Sequence, residues 1–433
     1  MRFTSLSQWL TWQEQLHFRD IDPGLERVGA VWQRMGGATQ LPFKLITVAG
    51  TNGKGSSVAI SAAILQAAGY KTATYTSPHL LRYNERICID NQPATDEAIC
   101  EAFQRIDDAR GDISLTYFEF ATLAAVDIFC RADVDVAVLE VGMGGRLDAV
   151  NLFDTDVALI TPIGLDHMAW LGDNREQIGF EKAGIIRADK PLVCSETQPP
   201  DTVLAYAREM GTPVYLNGEH FNYQSQADHW SWQGLGAELK QLPLPVLAGK
   251  YQLQNSAAVI AVCQLLNQQG LIISDQAIGQ GLTQIRLYGR FQVIPGPVTR
   301  ILDVTHNQQG ADNLSALLKA SQTTGKTYAV LAMLRDKDCQ SVASKLDAVI
   351  DYWFLAGLDG NRGMSGETLA ENLTPVVGKD KLASYEQVDD AYHAAMAAAS
   401  TGDRILIFGS FHTIEAAMRL MPESQQAPVS QAS

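Results

Sequence analysis

Val48-Ala49-Gly50-Thr51-Asn52-Gly53-Lys54-Gly55-Ser56-Ser57 is the stretch from which the architecture of this chain is best read. Ahead of it, Phe43 to Ala49 is mostly apolar and β-prone. Behind it, Val58, Ile60, Ile64 and Leu65 recur at helical spacing as far as Gly69, which takes a left-handed cap without a Cβ penalty. A second β-prone run, Thr72 to Thr76, follows. Strand, glycine-rich turn, helix and strand within about thirty residues predict a βαβ unit, and therefore a parallel sheet.

Such a turn suits phosphate. Glycines let the backbone come close, successive N–H groups point at one anion, and the helix N-terminus adds partial positive charge. Lys54 would face the outer phosphates, and Ser56 or Ser57 a magnesium ion. The match to G-x-x-x-x-G-K-[ST] is imperfect: Val48 stands at the first glycine and Gly55 separates Lys54 from Ser56. The plainer alternative is a glycine-rich turn carrying a surface lysine.

The 433 residues are 46% apolar and 19% charged, which fits two globular domains. No apolar run reaches the ~18 residues of a membrane span, and the N-terminus lacks a signal-peptide core, so a cytoplasmic protein without membrane partners is expected. Six cysteines without C-x-x-C spacing read as reduced thiols. A formal charge of −15 argues against broad nucleic-acid binding and requires any anionic substrate to meet locally gathered Lys and Arg. Nothing resembles an obligate interface, so a monomer is expected.

Two helical stretches are predicted before the first strand, around Trp9–Leu16 and Leu25–Trp32, joined by the turn Asp20-Ile21-Asp22-Pro23-Gly24. They are either a packing appendage or a substrate-binding lip. Beyond the second strand lie Ser77-Pro78 and Arg82-Tyr83-Asn84-Glu85-Arg86, where open α/β sheets bind ligands. Ser77 is a metal ligand or a helix cap; Arg82 and Arg86, four apart, clamp a substrate anion or solvate a helix face. The buried-strand pattern Val134–Val141 ends in Glu140, a position for Mg²⁺, or else an acid capping a turn. Val157 to Thr161 is another strand, and His167 follows it. Three candidate ligands (Ser77, Glu140, His167) after three successive strands favour a metal over three coincidences. By pattern alone, Lys182 among apolar neighbours is a snorkelling surface lysine.

Residues 195–245 are expected to form short antiparallel strands, and about Gln254 to Gln268 a helix. Near Leu287-Tyr288-Gly289-Arg290 a boundary divides residues 1–287 from a smaller α/β domain, 288–423. Its strands are predicted at Arg300–Val304, Tyr328–Met333, Tyr352–Leu355 and Arg404–Phe408, with helices such as Asn313–Ala320 and Val388–Ala399. A polar, disordered tail is expected over 424–433.

Eight stretches occur in order: GTNGKGSS (Gly50–Ser57), SPHL (Ser77–Leu80), TYFEF (Thr116–Phe120), LEVGMGGRLDAVN (Leu139–Asn151), LDH (Leu165–His167), EKAGI (Glu181–Ile185), YGR (Tyr288–Arg290) and DVTHN (Asp303–Asn307). Together they resemble the folylpolyglutamate synthase/dihydrofolate synthase family, a branch of the Mur ligase superfamily. The likeness runs from IDPGLERV (Ile21–Val28) to FGSFHT (Phe408–Thr413). It implies a P-loop domain with a mostly parallel sheet, like the central domain of Mur ligases, followed by a smaller Rossmann-like α/β domain.

The resemblance also implies ATP-dependent ligation of L-glutamate to dihydropteroate and to folates through an acyl phosphate. Gly50, Thr51, Asn52, Gly53, Lys54, Gly55 and Ser56 would bind the ATP phosphates, with Asn255, Arg290, Asp303 and His306 completing the nucleotide site. Ser56, Ser77, Glu140 and His167 would hold magnesium, two ions in all. Lys182 matches a position that carries a carbamate in relatives, which reverses its reading by pattern. Lys54, His167, Lys182 and Arg290 would be catalytic. Pteroate contacts would come from Asp22, Gly24, Leu25, Glu26 and Arg27, from Thr116, Tyr117, Phe118 and Glu119, and from Leu147, Asp148 and Ala149. ATP and glutamate would lie where the two domains close.

Tyr288 stands where many relatives have proline, and Val304-Thr305 replaces a common Gly-Ala. A folylpolyglutamate synthase without the first activity is the nearest alternative. A cell-wall ligase would need a further N-terminal domain, and a nucleotide switch would not need Glu140, His167, Lys182 and Arg290 together.

Overall fold

The computed structural model describes residues 1–321 and 323–422, so the tail expected over 424–433 lies outside the described residues. The chain forms two compact units. One comprises Met1–Pro245 and Gln252–Ile285; the other comprises Val246–Tyr251 and the chain from Arg286 onward. The short excursion at Val246–Tyr251 was not expected, because no composition change marks it.

The first unit holds β1 (Lys44–Ala49), β2 (Thr72–Tyr75), β3 (Ile87–Ile89), β4 (Gln92–Pro93), β5 (Val136–Glu140), β6 (Val157–Ile160), β7 (Leu192–Cys194) and β8 (Val214–Leu216). They form one sheet in the order β4-β3-β2-β5-β1-β6-β7-β8. From β2 to β8 every pairing is parallel; β3 and β4 add an antiparallel edge. All five residues of β5, and all of β1 but Lys44, are buried, as a parallel sheet covered on both faces requires. Val48 lies opposite Glu140 and Ala49 opposite Ile160, so the turns after β1, β5 and β6 leave the same edge of the sheet.

Two helices matter most for that edge. Lys54–Ala67 starts directly from the glycine-rich turn, and its Ser56, Ser57 and Ser61 are buried with its aliphatic side chains. Tyr117–Arg131 begins at a reciprocal cap: the Glu119 N–H donates to the Thr116 hydroxyl, and the Thr116 N–H donates to the Glu119 carboxylate.

The antiparallel reading of residues 195–245 needs correction in its first half. The helix Asp201–Glu209 and β8 continue the parallel sheet, and only β9 (Phe221–Ser225), β10 (His229–Gly234) and β11 (Ala237–Pro243) are antiparallel. A three-residue strand shows no period, and so it escapes pattern reading. In β10, Trp230 and Trp232 share the buried face, and the Trp232 indole donates to the Ala257 carbonyl of the helix Lys250–Gln268 at 2.9 Å.

The second unit has β12 (Gln292–Ile294), β13 (Thr299–Asp303), β14 (Thr327–Leu331), β15 (Tyr352–Ala356), β16 (Leu382–Tyr385) and β17 (Arg404–Phe408), in the order β12-β13-β17-β14-β15-β16. All pairings are parallel except β12 with β13. The four expected strands are present within two residues of their predicted limits; β12 and β16, short and at the edges, were not foreseen.

Candidate active site

The turn after β1 is built around two glycines at positive φ, Gly50 (149°) and Gly53 (92°). A Cβ on Gly50 would collide with the Thr161 hydroxyl, and one on Gly53 would lie 2.6 Å from Asn255 Oδ1. Side chains are therefore excluded where the backbone must curl toward an anion. The Thr51 and Asn52 N–H groups donate to the Pro162 carbonyl (2.9 and 3.3 Å), and Thr51 Oγ1 exchanges hydrogen bonds with the Gly164 backbone. Lys54 Nζ curls back on the Gly50 and Thr51 carbonyls at 3.1 and 3.2 Å. Asn255 stands against this turn, and its amide donates to Gln252, which in turn donates to the Ser56 hydroxyl. Residues 196 positions apart in sequence thus meet at one loop. The three-dimensional cradle fits a polyphosphate: a fresh helix N-terminus, glycines where a Cβ is forbidden, and a lysine at the mouth.

Glu140, the last residue of β5, is 6% exposed and accepts from the Ser77 N–H at 3.3 Å. His167 follows β6 at φ 51°, and its N–H donates to Asp166 Oδ1 at 2.8 Å. Among the described residues no three His, Cys, Asp or Glu side chains converge as a metal cluster. The candidate set here mixes serine hydroxyls, one carboxylate and one imidazole, donors that suit Mg²⁺ or Mn²⁺ completed by water and phosphate oxygens. The segment leading to His167 is clamped by two residues the sequence did not single out. The Ile163 N–H donates to Glu196 (2.8 Å), Arg175 Nε donates to the Ile163 carbonyl (3.0 Å), and Arg175 Nη2 donates to Glu196 (2.6 Å). Their separation in sequence left no local signal.

Lys182, on the helix Arg175–Ala183, is 3% exposed, and its Nζ donates to the Gly50 carbonyl at 2.9 Å. The snorkelling-surface reading is therefore wrong: period-based reading places a side chain on a face, but not the neighbouring loop that covers that face. Burial, and next the positive charge of Lys54, pull the Lys182 ammonium down to about 7, against the opposing Asp166 and Asp148. Close approach makes this possible. A Cβ on Gly145 would lie 2.8 Å from the Glu181 carbonyl, and the Arg146 N–H donates to that same carbonyl at 2.7 Å. Asp148 accepts from the Met143 and Val150 N–H groups, and burial raises its carboxyl to about 6.

The N-terminal helices, Leu6–Gln13 and Glu26–Arg34, share the core of the first unit, and the segment between them reaches the cap of the helix Tyr117–Arg131. Arg27 joins Asp22 (2.5 Å) to Glu119 (3.0 Å), and the Gly24 N–H donates to the Leu147 carbonyl at 3.2 Å. The structure thus brings together Asp22, Gly24, Arg27, Thr116, Glu119 and Leu147, three separated stretches. Leu25 is part-buried and Glu26 exposed; Ala149 is buried beside Asp148. Phe118 packs 5.8 Å from Tyr75, and Tyr117 packs edge-on to Tyr83 at 5.7 Å.

The structure does not put Arg82 and Arg86 on one face. Arg82 is exposed, 3.6 Å from Asp96, whereas Arg86 is buried over the Tyr83 and Tyr117 rings with its Nε on His79. Tyr83–Arg86 is a single 3₁₀ turn, so a spacing of four does not put the pair on one face.

In the second unit, Asp303 ends β13. It accepts from the Phe291 and Thr305 N–H groups at 2.8 and 2.9 Å, and burial raises its carboxyl above the usual range against the nearby Arg290. The Arg290 guanidinium lies 5.4 Å from the Phe411 ring centre, and His306 Nδ1 is 2.9 Å from the Val304 carbonyl. Arg290, Asp303 and His306 therefore gather at the C-terminal end of one strand.

Residues 48–263 match the Mur ligase middle domain, and residues 289–411 match the Mur ligase glutamate ligase domain. The chain is 43% identical to the dihydrofolate synthase/folylpolyglutamate synthase of Escherichia coli K12, over 96% of this chain and 95% of that protein. It is 40% identical to the Haemophilus influenzae protein of the same name, over 94% and 96%. Among solved structures it is similar to E. coli FolC in complex with DHPP and ADP (TM-score 0.90, 41% identity, 96% of this chain and 97% of that one). It is also similar to a bifunctional folylpolyglutamate synthase/dihydrofolate synthase with Mn, AMPPNP and L-glutamate bound (TM-score 0.88, 42% identity, 96% and 98%). With its middle and C-terminal domains both matched and near-complete coverage on each side, the chain belongs to the dihydrofolate synthase/folylpolyglutamate synthase family of Mur ligases.

Proposed function

We propose that this chain joins L-glutamate to dihydropteroate, giving dihydrofolate, and adds further glutamate to folates, consuming ATP through an acyl phosphate. The observation that carries this reading is the meeting of Lys54 and Lys182 on the Gly50 carbonyl at the sheet edge that Glu140 closes. A carboxylate resists attack by an amine, so its oxygen first takes the γ-phosphoryl group of ATP. The glutamate amine then attacks the acyl carbon, and phosphate leaves. Catalysis of this kind is positioning plus neutralisation of charge on phosphoryl and carboxyl oxygens.

Residues 50–56 cradle the phosphates with Lys54 at the outer ones, Asn255 shapes the loop, and the family pattern adds Arg290, Asp303 and His306 to nucleotide binding. Magnesium, two ions on this reading, would be held by Ser56, Ser77, Glu140 and His167, and would supply screening of phosphate charge and polarisation of the transferred group. The Lys182 amine, drawn toward neutrality near pH 7, is suited to add CO₂. An N–C bond forms, a proton leaves, and the resulting carbamate is an anion that faces cations rather than repelling them. The pteroate end rests on Asp22–Arg27, Thr116–Glu119 and Leu147–Ala149.

Among the described residues no helix is long and apolar enough to cross a membrane. We take the protein to act in the cytoplasm as a monomer on small-molecule substrates. The test is product mass after incubation with ATP, Mg²⁺, L-glutamate and either dihydropteroate or tetrahydrofolate. A gain of one glutamate on dihydropteroate, with addition to the folate as well, is expected. Gain on the folate alone selects a monofunctional synthase, and no gain on either overturns the reading.

A further inference from the structure

His17 has no part in the site described so far, yet it is 8% exposed and touches that site. Its Nε2 lies 3.2 Å from Asp22 Oδ2, and its Nδ1 lies 2.8 Å from the Ser114 hydroxyl. A carboxylate only accepts, so Nε2 carries the proton and Nδ1 faces Ser114, the residue two before the Thr116 cap. Asp22 in turn receives Arg27, which reaches Glu119. One imidazole thus ties the irregular segment between the first two helices to the segment that opens the helix Tyr117–Arg131.

The alternatives for such a residue are weaker. A core histidine needs no carboxylate partner at a substrate lip, and a surface histidine would not be nine-tenths buried. The tip of this turn is also tied through its backbone, by the Gly24 N–H to the Leu147 carbonyl. Without His17, Asp22 keeps Arg27 and the exposed Arg19 but loses its anchor to the Ser114 side of the lip.

We propose that His17 is a positioning residue for the pterin-bearing substrate: it holds the Asp22 carboxylate, and through it Arg27, in the geometry that binds dihydropteroate. The inference rests on the assignment of Asp22–Arg27 to the pteroate site.

The test is steady-state kinetics of dihydropteroate glutamylation with three variants of the full chain. His17→Gln keeps an N–H near the Nε2 position, whereas His17→Asn keeps one only near Nδ1, and His17→Ala keeps neither. We expect KM for dihydropteroate to rise about tenfold in His17→Ala and His17→Asn, and about threefold or less in His17→Gln, with KM for ATP unchanged. A purely structural role would instead lower kcat or soluble yield without separating Gln from Asn. If His17→Ala does not fold, Ser114→Ala, which removes the other end of the tie, is expected to raise the same KM. An unchanged KM for dihydropteroate in folded His17→Ala, or equal values for the Gln and Asn variants, overturns the proposal. Asp22→Asn separates the two levels: if it raises that KM while His17→Ala does not, only the role of His17 fails; if neither does, the pteroate-site assignment fails.

Discussion

Lys182 in the first unit and Arg404 in the second are both buried cations, 3% and 6% exposed, on parallel α/β scaffolds. Their surroundings differ. Arg404 donates to the Thr327 hydroxyl (2.8 Å), to the Leu318 and Ser321 carbonyls (3.0 Å each) and to the Ser321 hydroxyl (2.7 Å). Burial lowers its pKa, Asp351 opposes the shift, and guanidinium basicity leaves it charged. Lys182 instead donates to one carbonyl, with a second cation, Lys54, among the causes that depress it. A buried cation whose donors are met is a fastener. One that sits beside another cation at a glycine-rich turn is a candidate for chemistry.

Substitutions at these places test that contrast. The largest effect is expected from Lys54→Ala. Loss of the charge at the phosphate mouth should cut kcat by about 10²–10³ with the melting temperature nearly unchanged. Turnover near that of the parent would mean that the loop does not hold the reacting phosphates.

Lys182→Met should also lower kcat, by about tenfold or more, while raising stability near neutral pH. The folded-state value is depressed, so between about 7 and the ordinary 10.5 the unfolded chain binds more protons than the folded one. The wild type therefore gains stability as pH rises through that window, and below it carries the full penalty. In CO₂-free buffer, where Lys182 is a free amine, the variant, free of the penalty, should resist urea better than wild type near neutral pH, and the gap should close by about pH 10. Urea midpoints across that range check it; a gap independent of pH would show that Lys182 is already compensated.

Arg404→Met should do the reverse of Lys54→Ala. Loss of the four hydrogen bonds that Arg404 donates should cost about 2–4 kcal/mol of stability, read as a fall of several degrees in Tm, while kcat of the folded fraction stays near wild type. A catalytic defect without a thermal one would erase the distinction between the two cations.

The smallest effect is expected from Glu196→Gln, which weakens the clamp on Ile163 but keeps an acceptor for its N–H. The Mg²⁺ concentration for half-maximal activity should rise by about two- to fivefold, because His167 hangs from the clamped segment. An unchanged magnesium requirement would detach the clamp from the proposed metal site.

Local chemistry made much of this molecule legible. The Gly50–Ser57 turn, flanked by an apolar run and a helical period, could only be a strand-to-helix loop, because glycines at those offsets serve φ values and contacts that a Cβ forbids. Glu140 at the end of an unbroken apolar run was placed correctly at the sheet edge for the same reason. Arg82 and Arg86, four apart, do not share a face because the chain between them is a single 3₁₀ turn, and β7 and β8 were missed because three residues carry no period. Glu196, Arg175 and His17 carried no local mark at all; each matters through a partner many residues away.

Residue order was thus enough to establish strand and turn identity, the alternating α/β plan and the family motifs, since these depend on backbone conformation and on side-chain periodicity within a few residues. Folding settled which charges share a space. It buried Lys182 beside Lys54 and under Gly50, set Asn255 against the phosphate turn, hung Asp22 on His17, and surrounded Arg404 with acceptors. The electrostatic character of a side chain is a property of its neighbours and of the water they exclude, and neither is written along the chain.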